Sequence, residues 1–253
     1  MKAMILAAGL GTRLRPLTDE RPKALVEVAG RTLLEITLAR LRAIGIREVI
    51  INVHYLAGMV LEYLKANHNF GMRLEISQEE VLLDTGGGLK KAAWFFLNDS
   101  NHPNEPFILH NVDVVSTIDL ARMVQFHTEN QALATLAVKD RPTQRYLLFD
   151  DQNQLCGRQN GRDQAPESVR SASPAQALAF SGIHVISPRL LAMMTEDGAF
   201  PIIATYLRLA ARQEKILPFR ADEYYWRDLG KPEDLRQAEI DSKQAAFLPS
   251  PLA

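Results

Sequence analysis

The strongest constraint on this chain is a series of short, nearly continuous apolar segments that alternate with segments of helical periodicity. Met4–Ala7, Glu48–Val53 (EVIINV), Pro106–His110 and Leu133–Val138 are too short for buried helices and read as strands covered on both faces. Between them Thr32–Ile44 (TLLEITLARLRAI), Ala57–Ala66, Gly88–Leu97 and Ile118–Thr128 carry apolar residues at helical spacing, and Arg73–Ser77 alternates like a further strand. Alternation of this kind implies right-handed βαβ units and an α/β fold with a mostly parallel sheet.

The pattern changes after Lys139. Tyr146–Asp150 and Gln154–Cys156 read as a hairpin across Asp151-Gln152-Asn153, and the aperiodic polar stretch Arg158–Gln176 reads as a mobile loop that could close over a crevice. Ala179–Ile186 is a strand, with helices near Pro188–Met194 and Ile202–Arg212. Lys215–Phe219 and Tyr224–Arg227 are late strands, and Pro232–Lys243 is a closing helix with proline in its first turn. One domain over residues 1–245, in two parts that meet at residue 138, accommodates all of this, and the tail from residue 246 is expected to fray.

Composition removes several classes of function. The net charge of −1 and the lack of a long basic run exclude a nucleic-acid polymer as partner. A lone cysteine, Cys156, can form neither an internal disulfide nor a cysteine metal site, and fits a reducing cytoplasm. No apolar run approaches the ~20 residues of a membrane span, so no membrane partner is expected. A monomer or small homo-oligomer is compatible with these numbers.

The first strand runs directly into Ala8-Gly9-Leu10-Gly11-Thr12-Arg13, with Lys23 soon after. A glycine loop with basic residues behind a buried strand points to phosphate, and three kinds of site compete. A dinucleotide site needs G-x-G-x-x-G and an acidic residue ending the second strand, but here Leu14 replaces the third glycine and the strand ends Asn52-Val53-His54. A P-loop needs G-x-x-x-x-G-K-[ST], which is not present. The remaining reading is a nucleotidyltransferase loop holding a nucleoside triphosphate open to in-line attack.

Five segments then occur in a telling order. They are Ala7–Thr18 (AAGLGTRLRPLT) with Arg21–Leu25 (RPKAL), Leu83–Leu89 (LDTGGGL), Asn111-Val112-Asp113, Phe180–His184 (FSGIH) and Trp226–Gly230 (WRDLG). Together they resemble the sugar-1-phosphate nucleotidylyltransferases, and most closely the short N-acetylmuramate-1-phosphate uridylyltransferases and mannose-1-phosphate guanylyltransferase-like members. The resemblance implies a Rossmann-like nucleotide-diphospho-sugar transferase fold, with a nucleotide-binding part over 1–138 and a sugar-binding part over 139–245. It implies a nucleoside triphosphate and a sugar 1-phosphate as substrates, UTP favoured, with Mg²⁺ as cofactor. Leu10 and Val112 stand where many relatives have lysine and glycine. The acidic-then-lysine segments that contact sugar phosphate in longer relatives have no counterpart here. A regulatory nucleotide-sugar-binding protein is the alternative, and a nicotinamide oxidoreductase the third reading.

The chemistry accounts for these residue types. Two like charges ~4 Å apart repel by about 4 kcal/mol at an effective dielectric of ~20, so uniting two polyanions requires cations. Arg13 is expected to fork onto the pyrophosphate and Lys23 to sit near the transferring phosphoryl group. The backbone of Ala8, Gly9, Gly11 and Thr12 would approach phosphate closely. Asp113 lies just beyond the carboxyl end of a buried strand, where open α/β sheets keep their ligand crevice, and with Asp228 it would hold Mg²⁺. Thr85, Gly86, Gly87 and Gly88 are assigned to base or ribose, Gln78 to a base edge and Gly182 to the sugar. His54, His110, Tyr225 and Trp226 are expected to pack the core or wall the crevice.

Overall fold

The computed structural model describes residues 1–98, 103–161, 163–171, 174–244, 249 and 252. Strand β1 (Lys2–Leu6) leads through the glycine loop into two 3-10 turns, Thr12–Leu14 and Lys23–Leu25. A short hairpin, β2 (Glu27–Val28) and β3 (Arg31–Thr32), precedes α1 (Leu33–Ala43). The Thr32 hydroxyl caps that helix by accepting from the Glu35 N–H at 3.1 Å. The succession β4 (Glu48–Val53), α2 (Ala57–Ala66) and β5 (Arg73–Gln78) follows the expected periodicity. Next come α3 (Asp84–Lys91), α4 (Ala93–Leu97), β6 (Phe107–Asn111), β7 (Val114–Ser116), α5 (Leu120–Glu129) and β8 (Ala134–Lys139).

The second part contains β9 (Arg145–Phe149), β10 (Leu155–Asn160), β11 (Glu167–Ser168) and β12 (Gln176–Ile186). It closes with α6 (Arg189–Ala192), α7 (Ile202–Ala211), β13 (Ile216–Arg220), β14 (Trp226–Asp228) and α8 (Pro232–Gln244). No helix among the described residues is long and apolar enough to cross a membrane.

The main sheet runs β5-β4-β1-β6-β12-β9-β10-β11, with β8 joined to β12 and β13 to β8. β1 is parallel to both β4 and β6, and β4 is parallel to β5. Successive residues of β1 feed opposite cores. Ala3 and Ile5 pack with Val49, Ile51 and the α1 leucines, while Met4 packs with Ile50, Leu109 and Tyr206 of α7. That two-sided burial is why these strands are apolar throughout. The chain leaves β1 toward β4 on one side and returns to β6 on the other, so the order reverses between β1 and β6. A crevice opens beyond their carboxyl ends, at the topological switch point.

Antiparallel strands enter only in the second part, where β12 pairs with β6, β8 and β9. Its register slips between Phe180 and His184, and Gly182 there has φ +76°. A separate two-stranded ladder pairs β14 with β7, setting Asp228 opposite Val114 and Trp226 opposite Ser116.

Two expectations need correction. The helix expected from Gly88 begins at Asp84 and breaks at Ala92, so the glycine run lies inside α3. The segment expected as a loop over 158–176 instead carries an antiparallel ladder, with Gly157 opposite Ser168 and Arg158 opposite Glu167. This is an exposed edge hairpin with polar side chains on both faces, so it has no apolar alternation to betray it. Residues 162, 172 and 173 of that segment, and most of the tail, lie outside the described residues.

Candidate active site

A cavity of about 600 Å³ occupies the switch point. Its floor is the β1 end and the loop after it, with Ala8, Gly9, Gly11, Thr12 and Arg13 all lining it. Gly11 is forced by geometry: φ is +65°, and a Cβ would fall 2.9 Å from the Thr18 methyl group. The Thr18 hydroxyl also donates to the Gly11 carbonyl at 2.8 Å, fixing the turn from inside. A Cβ at Gly9 would meet nothing within 4 Å and would simply project into open space.

The far wall includes Asp113 and Gly230, which flank the β7–β14 ladder. Asp113 just precedes β7 and Asp228 ends β14, and the Leu229 N–H donates to the Asp113 carbonyl at 2.8 Å. Two carboxylates distant in sequence are thereby made neighbours. Lys23, only 7% exposed, donates its ammonium to Asp113 Oδ2. Asp228 Oδ1 is buried without a hydrogen-bond partner. Burial, and then the Asp113 charge, raise the Asp228 pKa, with Lys23 and Arg13 opposing. The Arg13 guanidinium lies against Gly230, where a Cβ would come 2.5 Å from Nη2 and 2.8 Å from Asp228 Oδ1. Arg13, Lys23, Asp113 and Asp228 thus form one charged cluster.

The pair fits a divalent cation. Mg²⁺ takes one or two carboxylates and completes its shell with phosphate oxygens and water. Asp228 Oδ1 is an orphaned acceptor beside a second carboxylate. No group of three or more His, Cys, Asp or Glu among the described residues could hold a metal by itself, so bound phosphate would have to finish the shell.

Several predicted residues stand elsewhere. Thr85 lines the cavity, and its hydroxyl accepts from the Ile202 N–H at 2.9 Å, capping α7. Gly86, Gly87 and Gly88 do not line it. A Cβ at Gly86 would lie 2.3 Å from the Phe200 ring, at Gly87 2.4 Å from the Gly198 carbonyl, and at Gly88 2.8 Å from both Asn52 Nδ2 and Glu79 Oε1. Protein packing therefore accounts for the small size of the run. Gln78 is exposed at the end of β5 and is not part of the lining; its carbonyl accepts from Lys91 Nζ at 2.5 Å. Gly182 is a bulge glycine whose Cβ would meet Val114 Cγ2 at 2.7 Å and Asn111 Nδ2 at 3.1 Å.

Asn52 and Glu79 are residues that sequence reasoning missed. Asn52 Oδ1 accepts from the Ala7 N–H at 2.7 Å, and its Nδ2 donates to Glu79 Oε1 at 2.7 Å. Glu79, 2% exposed, accepts from the Leu83 N–H at 2.9 Å through its other oxygen. The one available signal was a polar residue, Asn52, within the otherwise apolar run Val49–Val53. Val112, 4% exposed, also lines the cavity, and its N–H donates to Leu6 O at 3.1 Å; Leu10 projects outward. No described residue of 158–176 contributes to the lining.

The profile of the nucleotidyl transferase family matches residues 2–245. The chain belongs to that family. Relatives of this family member include the N-acetylmuramate alpha-1-phosphate uridylyltransferase of Caulobacter vibrioides, 33% identical over 96% of this chain and 97% of that protein. The mannose-1-phosphate guanylyltransferase of Mycobacterium tuberculosis is 30% identical over 98% of this chain and 66% of that protein. The chain spans only 62% of the Yarrowia lipolytica mannose-1-phosphate guanyltransferase, at 30% identity. In structure it resembles a putative glucose-1-phosphate thymidylyltransferase from Bacillus anthracis, with a TM-score of 0.79, 17% identity, and coverage of 97% and 96% of the two chains. The resemblance drawn from the five segments is correct, and the fold is the one it implied.

His110, His127 and His184 are structural. Burial holds the imidazoles of His110 and His127 at about 4 and that of His184 at about 3. The Ser187 hydroxyl donates to the Ala132 carbonyl at 2.7 Å, so it must accept from His127 Nε2–H, which leaves His127 Nδ1 to accept from the Thr135 hydroxyl. All three are neutral in the folded chain and would titrate near 6.5 when unfolded. The unfolded state thus binds more protons below about pH 6.5, and stability should fall as pH drops from about 6.5 toward about 4. Each imidazole contributes a slope of up to about 1.4 kcal/mol per pH unit within that window. Urea midpoints between pH 6.5 and 5.5, above the range of most carboxylates, check this; a flat midpoint would contradict it.

Proposed function

We propose that the protein joins a nucleoside triphosphate to a sugar 1-phosphate, releasing pyrophosphate and nucleotide-sugar. The observation that carries this reading is that Arg13, Lys23 and Asp113 line one cavity at the switch point, with Asp228 just behind that lining, close to Gly230 and coupled to the Asp113 charge. In this reading the triphosphate lies along the loop after β1. Arg13 offers a planar fork to the pyrophosphate, and Lys23 a point charge to the α-phosphoryl group. Asp113 and Asp228 would hold Mg²⁺, which when bound neutralises phosphate charge as transfer proceeds. A sugar-phosphate oxygen attacks the α-phosphorus in line, the new P–O bond forms as the bond to the β-phosphate oxygen breaks, and pyrophosphate leaves. The attacking phosphate is ionised at neutral pH, so no general base is required. This agrees with His110, which is neutral, fully buried and outside the cavity lining.

UTP with N-acetylmuramate 1-phosphate is the proposed substrate pair. Its support is the relative matched over nearly its whole length, whose name specifies that reaction. With Gln78 outside the cavity, Asn52, Glu79, Asp84 and Thr85 are polar side chains of the lining that stand outside the charged cluster. A pyrophosphate-release screen of four triphosphates against a panel of sugar 1-phosphates should give the highest kcat/KM for this pair. Preference for GTP with mannose 1-phosphate would reverse the assignment.

A further inference from the structure

The two cations lining the cavity serve the triphosphate, and one of them, Lys23, is already paired with Asp113. The second substrate brings another phosphate, which must approach from the other side of the carboxylate pair to attack in line. On that side, behind Asn111 and outside the lining, the Gly182 bulge leads to Ser181, whose carbonyl holds Trp226. Asn111 lines the cavity with its Oδ1 buried and unpartnered. Trp226 and Asp228 are two residues apart on β14, so their side chains share one face of that strand.

Arg141, in the connection between β8 and β9, stacks over the Trp226 ring at 4.0 Å from its centroid. Its Nη2 donates to the Phe180 carbonyl at 3.0 Å, and the Trp226 Nε1–H donates to the Ser181 carbonyl at 2.7 Å, so arginine and indole are both tied to β12. Among the described residues no carboxylate lies within ion-pair distance of Arg141, and its Nε is buried without an acceptor. Burial lowers its pKa, and Asp228 is the first charge opposing that effect. A half-buried guanidinium held by the Phe180 carbonyl at 3.0 Å and, more loosely, by the Pro142 carbonyl at 3.4 Å, with an indole beneath it, is a preoriented fork for an oxyanion.

Resting on the proposed function, we propose that Arg141 receives the 1-phosphate of the sugar substrate. Asp228 then lies between two guanidinium groups, Arg13 on the pyrophosphate side and Arg141 on the entering side. A charge-assisted hydrogen bond of this kind is worth about a tenfold to hundredfold change in affinity.

The test has two readouts. R141Q should raise KM for the sugar 1-phosphate about tenfold to a hundredfold while leaving KM for the triphosphate and the melting temperature nearly unchanged, and R141K should recover part of the loss. A comparable rise in both KM values would mark Arg141 as a bracket between β12 and β14 and overturn the proposal. A loss confined to sugars bearing a carboxylate, with glucose 1-phosphate unaffected, would assign the arginine to that carboxylate and overturn it too. The second readout needs no turnover. The chain has two tryptophans, so W94F leaves Trp226 as the only indole, directly under Arg141. Glucose 1-phosphate should change its emission in W94F and not in W94F/R141Q. If it changes neither, the proposal falls, whatever the activity. If it changes W94F alone but no substrate pair releases pyrophosphate, the anion site stands and the proposed reaction falls.

Discussion

Asp113→Asn and Asp228→Asn are each expected to slow turnover about a thousandfold, and the double variant should be little worse than either. Each substitution keeps the shape of the side chain and removes a negative charge from a pair held together by the β7–β14 ladder. A metal clamp on phosphoryl transfer contributes several kcal/mol to the transition state. Losing about 4 kcal/mol is about a thousandfold, since each ~1.4 kcal/mol is a factor of ten. Two groups that act on one ion are not additive, because losing one already disables the site. Lys23 sharpens the expectation for Asp113: the substitution also leaves a nearly buried ammonium without its carboxylate. Steady-state pyrophosphate release with and without chelator checks this. Near-normal turnover of Asp113→Asn, or full wild-type activity in excess chelator, would remove the carboxylate pair from the mechanism.

The second large effect is on stability. Gly87→Ala should destabilise the protein by about 3 kcal/mol, because its Cβ would lie 2.4 Å from the backbone carbonyl of Gly198. A backbone oxygen cannot swing aside as a side chain can, so α3 must move from the segment before α7. That segment is bound tightly, the Phe200 carbonyl accepting from the Gly86 and Gly87 N–H groups at 2.9 and 3.3 Å. For a chain of this size about 3 kcal/mol corresponds to a melting temperature lower by roughly 6–12 °C. Activity measured well below the new transition should retain its KM for triphosphate. A large KM effect with unchanged melting would return the glycine run to the base-binding role.

These two cases show which inferences the sequence could carry. β1, β4 and β6 are buried on both faces, so their apolar character is a direct imprint of the fold and was legible. β7 and β11 have three and two residues, too few for any period to register. For the glycine run, composition said that something approaches closely but not whether it is ligand or protein; the neighbours are Phe200, Gly198 and the Asn52–Glu79 pair. Glu79 reads in sequence as an ordinary surface acid, and only the fold places it beneath Asn52 and the Leu83 N–H. Arg141 was likewise invisible, because its place depends on a tryptophan far along the chain.

The β7–β14 ladder also bears on when the charged cluster comes into being. The glycine loop, Arg13, Lys23 and Asp113 all belong to the first half of the chain, yet Asp228 arrives only with β14, one of the last elements before the closing helix. A chain that stops short of β14 could assemble the parallel strands and the anion-facing loop while presenting one carboxylate already masked by Lys23. In the proposed mechanism, nascent protein leaving the ribosome, or a fragment from a broken message, would therefore have the cations to hold a triphosphate but only half of the carboxylate pair. Long-range closures of this kind are slow to form, because the loop-closure entropy must be met before the contact returns anything. On the proposed mechanism, chemistry would be a late event in the life of the chain, available only after β14 has met β7.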